Sequence, residues 1–147
     1  AILYVCFIPD GKVQRFGNWL LSIFAISLSG YLMVPASGPG FAFPELFKTP
    51  IPGGPITEFN GWVVASGSNR FDAFPSLHVL ITSALLIFDY RYHPRRFAWM
   101  VAPSLGIFIS TIYLRYHYLV DLFASMALLL VAISISSLSK DSDELHN

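Results

Sequence analysis

The sequence predicts an all-α fold: a multi-pass transmembrane helical bundle of about four full helices plus a truncated N-terminal one, with a long Pro/Gly-rich extracytoplasmic loop. Three observations carry this prediction. The 147 residues are 54% hydrophobic and only 12% charged, whereas an ordinary soluble domain has about 25% charged residues. Apolar runs recur that approach the roughly 20 residues a helix needs to cross a hydrocarbon core of about 30 Å. Prolines and glycines interrupt this pattern over residues 35–74, where they exclude a continuous helix.

The first 34 residues contain one incomplete and one complete apolar run. Residues 1–9 are too few to cross a bilayer, and they lack an initiator methionine and a basic leader region. We therefore expect a domain that is truncated at its N-terminus, with further helices upstream. The next run, over about 14–34, is long enough to span. Its far end carries Ser27, Ser29 and Gly30, small residues that let helices approach closely.

The loop over residues 35–74 is rich in large apolar side chains despite its prolines. A loop cannot lie exposed to lipid at membrane depth, but aromatic rings are favoured at the headgroup boundary. We therefore predict an interfacial lid or substrate-entry segment, with a structural cap that contacts no ligand as the alternative. The large apolar residues are Phe41, Phe43, Leu46, Phe47, Phe59 and Trp62.

Two apolar runs joined by a short basic turn predict a helical hairpin after this loop. Ser76 is placed to cap a helix over about 77–90. The basic turn then covers 91–96, and a second helix returns over 97–114. A hairpin brings its two ends back to the same membrane surface, so residues distant in sequence can meet there.

A last helix is predicted over about 118–138, followed by a polar tail. The tail, KDSDELHN, has no apolar run, so we expect residues 140–147 to be disordered. Residues 1–139 then form one membrane-embedded domain, because this length suits a single bundle.

His78, His117 and Asp121 are the candidate catalytic residues. The hairpin allows the two histidines, 39 positions apart, to meet. Asp121 follows His117 by four positions, so it lies on the same helix face and can fix the imidazole tautomer and stabilise its positive charge. A neutral imidazole held in this way can attack phosphorus and form a covalent intermediate. His78 can protonate the leaving oxygen, and the N–H groups at the start of its helix favour a phosphate.

The same residues leave other chemistries open. The two histidines and Asp121 could bind zinc or iron with Asp72 as a fourth ligand, although the sequence has no metal-binding spacing pattern. Ser76 could act as a nucleophile with His78, although it lacks the glycine-flanked turn typical of such serines. On spacing alone, a structural polar cluster also remains open. The net charge of zero gives no argument for a nucleic-acid partner.

Basic residues give the bundle an orientation. Under this topology they fall at the end opposite the two histidines, and the positive-inside rule makes that end cytoplasmic. The histidines then face the periplasm, the lumen or the exterior. The basic residues are Lys12, Arg15, Arg91, Arg95, Arg96 and Lys140.

Two stretches resemble signatures of the type-2 phosphatidic acid phosphatase superfamily. FPSLH at 74–78 resembles the second signature, with its P-S-x-H core, and YLRYHYLVD at 113–121 resembles the third, which ends H-x-x-x-D. Their form is most similar to the branch that contains fungal inositol phosphorylceramide synthase, an inositolphosphotransferase. The resemblance implies a membrane enzyme that uses no metal and no other cofactor. It also implies His117 as the phosphate-accepting nucleophile, Asp121 as its orienting partner and His78 as the general acid.

Phosphate binding departs from the superfamily pattern. The first signature, a lysine followed by an arginine–proline pair, has no match, and Thr111 stands where the third signature usually has an arginine. Arg115 or Arg70 is the candidate replacement, with Ser76 in support. Thr111, Arg115, Arg70 and Ser76 are therefore the candidate substrate-binding residues. The stretch 31–40 resembles the first-signature region of the synthase-like branch, so we interpret the missing basic residues as a feature of that branch.

The resemblance implies that a phosphoryl or phospho-headgroup moves from a phospholipid or lipid phosphate to His117 and then to an acceptor. With water as acceptor the enzyme is a lipid phosphatase. With a ceramide or diacylglycerol hydroxyl it is a headgroup transferase, which a lid that excludes water would favour. A non-catalytic lipid-binding membrane protein derived from the same fold is the alternative. A vanadate-dependent peroxidase is disfavoured, because those relatives are soluble and this composition is that of a membrane protein.

Overall fold

The computed structural model describes residues 10–49, 51, 53–67 and 70–145, with side-chain surroundings inside 16–134. All regular elements of this part are helical, which confirms the predicted all-α class. The helices are α1 (Asp10–Met33), α2 (Pro39–Ala42), α3 (Pro55–Gly67), α4 (Leu77–Tyr92), α5 (Pro94–Tyr113) and α6 (Leu119–Leu145), with a 3₁₀ turn at Pro44–Leu46. The predicted helix end at 1–9 lies outside the described residues.

Helix α4 is the centre of the bundle, because α1, α5 and α6 all pack against it. One buried cluster joins Ile23 of α1 to Leu80 and Ala84 of α4 and to Leu129 of α6. Burial of these side chains stabilises the bundle in two ways. It removes apolar surface from water, and it replaces loose contacts with lipid by closer packing between helices.

The contacts at the two ends of α4 fix the direction of its neighbours. Phe16, early in α1, packs on Phe88 near the end of α4 with 4.6 Å between ring centroids. At the other end, a Cβ placed on Gly30 would overlap the ring of Pro75, so the predicted close approach at this glycine is confirmed. Helices α1 and α4 are therefore antiparallel. The hydroxyl of Ser125, in the second turn of α6, donates to the Ser76 carbonyl at 3.0 Å, so α6 runs parallel to α4.

The bundle turns apolar side chains outward. Two helices are long and apolar enough to cross a membrane, at Phe16–Met33 and Pro94–Tyr113, and only 17% and 11% of these segments is buried. The core helix of a soluble protein would be mostly buried. In α5, Ser104 and Thr111 are the buried residues, while Trp99 and Ile109 are 81% and 69% exposed. This arrangement suits a lipid surround, in which apolar surface gains nothing from being hidden inside the protein.

Helix α4 has 16 residues and the apolar part of α6 covers Leu119–Ser134, so both are shorter than a full span. Within the described residues, two helices are therefore long and apolar enough to cross a membrane, whereas the sequence predicts about four.

The basic turn of the hairpin is shorter than predicted. The sequence predicts a turn over 91–96, but α4 continues to Tyr92 and α5 begins at Pro94, so His93 alone separates them. A proline at the first helical position has a suitable φ and needs no hydrogen bond for the N–H it lacks. The His93 N–H donates to the Asp89 carbonyl at 2.7 Å, which closes the last turn of α4.

Two further helix boundaries differ from the prediction. The 13-residue helix α3 lies inside the 35–74 loop, because the prolines of this loop end at Pro55 and leave a stretch that a helix can use. Helix α6 continues to Leu145, past its predicted end at about residue 138. No glycine or proline separates these residues from the apolar part of the helix, and Lys140, Glu144 and Leu145 are good helix formers.

Candidate active site

His117 lies in the turn between α5 and α6. The backbone N–H groups of Tyr116 and His117 both donate to the Thr111 carbonyl, at 3.1 and 3.2 Å. Arg115 reverses the chain with φ 64°, a left-handed conformation that few non-glycine residues adopt. The turn directs the His117 side chain inward, where only 5% of it is exposed.

The hydrogen bond of His117 fixes which ring nitrogen is free. Nδ1 lies 2.7 Å from the carbonyl oxygen of Ala73. Because a carbonyl can only accept, Nδ1 carries the proton and Nε2 carries the lone pair in the neutral ring. Sequence reasoning missed Ala73, and no residue-type signal could have found it, since the contact is made by the backbone.

Asp121 supports both the imidazole and the helix that follows it. Its Oδ2 lies 3.6 Å from Nδ1 of His117 and accepts from the Tyr118 N–H at 2.7 Å. The second contact is that of an acidic residue at the third helical position, which reaches back to the residue that caps the helix. The carboxylate is only 2% exposed, so its attraction for a charged imidazole is weakly screened by solvent.

His78 meets His117 at the start of α4. The ring centroids are 5.8 Å apart and the rings are inclined at 64°, edge to face. His78 lies outside both candidate spans and keeps part of its ring exposed. Partial burial and the neighbouring His117 lower the pKa of His78 below its ordinary 6.5, and Asp72 acts in the opposite direction. The free protein therefore holds a largely neutral His78 at neutral pH.

Two serines hold the histidine-bearing segments together. Ser76 is fully buried and caps α4, because its hydroxyl accepts from the Val79 N–H at 3.5 Å; the predicted cap is confirmed. The Ser125 hydroxyl contacts the carbonyl of Ser76 at 3.0 Å and that of Asp121 at 2.7 Å. Ser125 thus ties the start of α4 to the first turn of α6. Its position four residues after Asp121 was the sequence signal that could have found it.

The other predicted substrate-binding residues make contacts elsewhere. The Thr111 hydroxyl donates to the Phe108 carbonyl at 2.8 Å, so Thr111 shapes the turn through its backbone. The Arg115 guanidinium lies 4.3 Å from the Phe47 ring and donates to the Thr49 carbonyl at 3.2 Å. The Arg70 guanidinium lies 5.9 Å from the ring of Phe41.

An open cavity of about 340 Å³, hereafter the loop cavity, adjoins the His117 turn. The Asn60 amide, on α3, donates to the Tyr116 hydroxyl at 2.7 Å across its wall. The cavity thus combines apolar surface with convergent polar groups, as small-molecule sites do. Sequence reasoning predicted a lid here but missed Asn60 and Tyr116. The lining residues are Gly40, Phe41, Ile51, Thr57, Asn60, Gly61, Leu114, Arg115 and Tyr116.

The described part of the chain contains no group of three or more histidine, cysteine, aspartate or glutamate residues arranged to share a metal ion.

Comparison with known proteins gives a family match. The family description "PAP2 superfamily", the type-2 phosphatidic acid phosphatase superfamily, matches residues 1–135. No curated protein and no solved structure matches the chain significantly. Membership supports a phosphatase or phosphotransferase type of function on lipid phosphates in membranes. Because the match covers most of the 147 residues, the chain belongs to the PAP2 superfamily.

Proposed function

We propose that this protein is an integral membrane enzyme that moves a phosphoryl or phospho-headgroup from a lipid substrate through a covalent phosphohistidine at His117. The observation that carries the proposal is the hydrogen bond from Nδ1 of His117 to the Ala73 carbonyl. It leaves Nε2 with a lone pair in a ring that lies beside His78. Oriented neutral imidazole next to a second imidazole is the arrangement that nucleophilic attack with general acid assistance requires.

In the first step the Nε2 lone pair attacks phosphorus. A P–N bond forms and the bond from phosphorus to the leaving oxygen breaks, while protonated His78 gives its proton to that oxygen. The His117 ring becomes a cation whose Nδ1–H is shared between the Ala73 carbonyl and the Asp121 carboxylate. His78 is largely neutral in the free protein. The negative charge of a bound phosphate favours the protonated form of His78, which can then act as the acid.

In the second step an acceptor hydroxyl attacks the phosphohistidine. His78, now neutral, takes the acceptor proton, the P–N bond breaks, and His117 returns to its starting state. Water as acceptor gives hydrolysis, and a ceramide or diacylglycerol hydroxyl gives headgroup transfer. The forms FPSLH and HYLVD favour an inositolphosphotransferase-like reaction.

The loop cavity supports a substrate that carries hydroxyl groups. The Asn60–Tyr116 hydrogen bond uses one amide N–H and one phenol lone pair. It leaves the phenol O–H as donor and the amide oxygen as acceptor, a pair that matches the donor and acceptor of an alcohol. Arg115 lines the same cavity and supplies a positive charge for a phosphate oxygen.

The helix directions support the proposed orientation. Helices α1 and α5 begin, and α4 ends, at the end of the bundle opposite His78 and His117. Lys12, Arg15, Arg91 and Arg95 belong to these helix ends. By the positive-inside rule the histidines then face the periplasm, lumen or exterior.

The decisive experiment seeks the phosphohistidine directly. Wild-type protein in lipid nanodiscs is mixed with phosphatidic acid or phosphatidylinositol labelled with ³²P, quenched rapidly, and assayed for acid-labile label on the protein. A ceramide or diacylglycerol chase then separates headgroup transfer from release into water. We expect label on the wild type, none on His117→Ala, and slower labelling of His78→Gln.

Arg91→Gln is the matched control, since it removes an exposed polar side chain at the opposite end of the bundle and should leave labelling unchanged. Labelling that survives in His117→Ala would overturn the assignment of the nucleophile. Lipid binding without turnover in all folded variants would instead support the non-catalytic lipid-binding alternative.

A further inference from the structure

A second cavity lies at the end of the bundle opposite the two histidines. It has a volume of about 370 Å³ and is lined by Tyr92, His93, Pro94, Arg95 and Arg96; we call it the basic cavity. Helix α4 separates it from His78, and 16 helical residues place the two sites about 24 Å apart. The basic cavity is therefore distinct from the proposed reaction centre.

The arginine side chains of the basic cavity differ in their surroundings. Nε of Arg96 lies 2.7 Å from Oδ1 of Asp89, whose side chain is almost completely buried. This ion pair holds the Arg96 guanidinium at the cavity wall. Arg95, at the start of α5, is exposed at the same wall. Arg91, at the end of α4, is also exposed but does not line the cavity. Three arginines against one aspartate leave this end of the hairpin positively charged.

His93 supplies an independent sign of a ligand. Its Nε2 is buried and has no hydrogen-bond partner among the described residues, while its ring packs against Phe88 with 6.2 Å between centroids. A buried ring nitrogen without a partner is costly. A ligand oxygen in the basic cavity would satisfy it.

The surface beside the basic cavity is apolar. Trp99 lies one turn after Arg95 on α5 and is 81% exposed, and Met100 next to it is 42% exposed. A ligand with a phosphate in the cavity and hydrocarbon along this face of α5 would match both surfaces. Free phosphate would match the basic cavity but not the apolar face of α5.

We propose that the basic cavity binds the phosphate headgroup of an anionic membrane lipid. Arg95 and Arg96 contact the phosphate oxygens, Nε2–H of His93 donates to one of them, and the acyl chains lie along the α5 face that carries Trp99. The lipid is a bound partner and not a substrate, because the site is far from His117. This inference does not depend on the proposed catalytic function.

The test measures the nearness of lipid chains to Trp99. A protein with Trp99 as its only tryptophan (Trp19→Phe, Trp62→Phe) is placed in phosphatidylcholine nanodiscs that contain a minor fraction of lipid brominated in its acyl chains. Bromine quenches tryptophan fluorescence only at short range. We expect stronger quenching by brominated phosphatidic acid than by brominated phosphatidylcholine at the same bromine content. One basic contact near a membrane surface corresponds to about a fivefold enrichment of anionic lipid.

The matched variants are Arg95→Gln and Arg91→Gln, which remove the same charge from the same hairpin end. Arg95→Gln and His93→Gln should abolish the preference for phosphatidic acid, and Arg91→Gln should keep it. Equal quenching by the two lipids in the wild type would overturn the proposal. An equal loss in Arg91→Gln and Arg95→Gln would also overturn it, because the attraction would then be diffuse.

A second arm separates lipid from free phosphate. Binding of ³²P-labelled inorganic phosphate to the protein in pure phosphatidylcholine nanodiscs is measured by equilibrium dialysis. We expect none above the level of empty discs. Saturable binding that disappears in Arg95→Gln would assign the cavity to free phosphate and overturn the lipid part of the proposal.

Discussion

At the scale of single residues, the proposed chemistry depends on how Ala73 and Asp121 share the proton-bearing side of His117. The Ala73 carbonyl is the nearer partner of Nδ1, at 2.7 Å against 3.6 Å for the carboxylate. A carbonyl fixes the tautomer but carries no charge. In the proposed mechanism Asp121 therefore contributes mainly when the ring becomes positive in the phosphohistidine, so the two partners would act at different stages of the reaction.

Asp121→Asn should separate these stages. The amide oxygen can still accept from the Tyr118 N–H, so the start of α6 is kept, but the negative charge is lost. We expect a fall in kcat of about 100-fold or more with little change in melting temperature, because Ala73 still holds the ground-state tautomer. Steady-state kinetics and thermal unfolding in nanodiscs measure both. Turnover close to that of the wild type would show that Asp121 is only a helix cap.

The three predicted catalytic residues were accessible from sequence because each carries a distinctive side chain at a spacing that a helix or hairpin converts into proximity. Ala73 was not, because its contribution is a carbonyl group that every residue possesses. The surroundings of Arg115 could not be predicted for a related reason: its positive φ directs the side chain toward Phe47 and Thr49, and no helical spacing rule describes that.

At the scale of elements, a side-chain hydrogen bond from Asn60 to Tyr116 ties α3 to the turn that carries His117. The outer face of α3 is apolar and exposed, with Phe59 and Trp62 stacked 6.0 Å apart. Such a helix suits the membrane interface. Its position over the loop cavity makes it the element best placed to exclude water.

Asn60→Ala and Tyr116→Phe should both raise the ratio of hydrolysis to headgroup transfer. Loss of the hydrogen bond, worth about 1 kcal/mol, loosens α3 and lets water compete with the lipid acceptor. The double variant should add little to either single one, because the two substitutions remove one contact. Product analysis with labelled substrate gives the ratio. Thr57→Val, also in the cavity wall, is the control; an equal rise there would argue against the Asn60–Tyr116 contact as the cause.

The tip of the α4–α5 hairpin is held by the ion pair of Asp89 and Arg96. From the sequence, Arg96 is expected to act as a topology signal only, and no pattern points to Asp89. In the structure Asp89 is fully buried and Arg96 mostly so. Positions seven apart lie on different helices here, and the short turn through His93 is what brings them together.

Asp89→Asn should destabilise the protein by about 3 kcal/mol, because it leaves the Arg96 charge buried without its partner. The double variant Asp89→Asn/Arg96→Gln should recover part of this loss. Unfolding by denaturant in mild detergent measures the difference, and Arg91→Gln, an exposed arginine of the same turn, should cost little. Equal stability of Asp89→Asn and the wild type would contradict a structural role for the pair.

At the scale of the whole molecule, the distribution of apolar surface is inverted relative to a soluble bundle. Helix α5 buries Ser104 and Thr111 and exposes Trp99, Leu105 and Ile109. Such a helix suits a hydrocarbon surround, and this agrees with membership of the PAP2 superfamily, which implies lipid-phosphate substrates in membranes.

Leu105→Arg, near the middle of α5 at a position that is 52% exposed, tests this arrangement. In a hydrocarbon surround an outward arginine near the middle of a helix costs about 2.5–3.5 kcal/mol, whereas an exposed site in water would tolerate it. We expect a clear fall in the fraction of protein folded in bilayers, measured by resistance to protease. Phe71→Arg, 55% exposed in the loop before α4, is the control and should be tolerated. Equal tolerance of both would indicate that α5 does not face lipid.

Composition, periodicity and side-chain type were enough to predict the helical class, the membrane character and the residues proposed to carry the chemistry. Three contacts became evident only in the tertiary structure: the Ala73 carbonyl on His117, the bridge from α3 to Tyr116, and the buried pair of Asp89 and Arg96. The sequence does not indicate which backbone carbonyl accepts a hydrogen bond, and a hydrogen bond across 56 positions has no local pattern. These groups come within reach of one another because the helices pack around α4 and because α4 and α5 are joined by the short turn through His93.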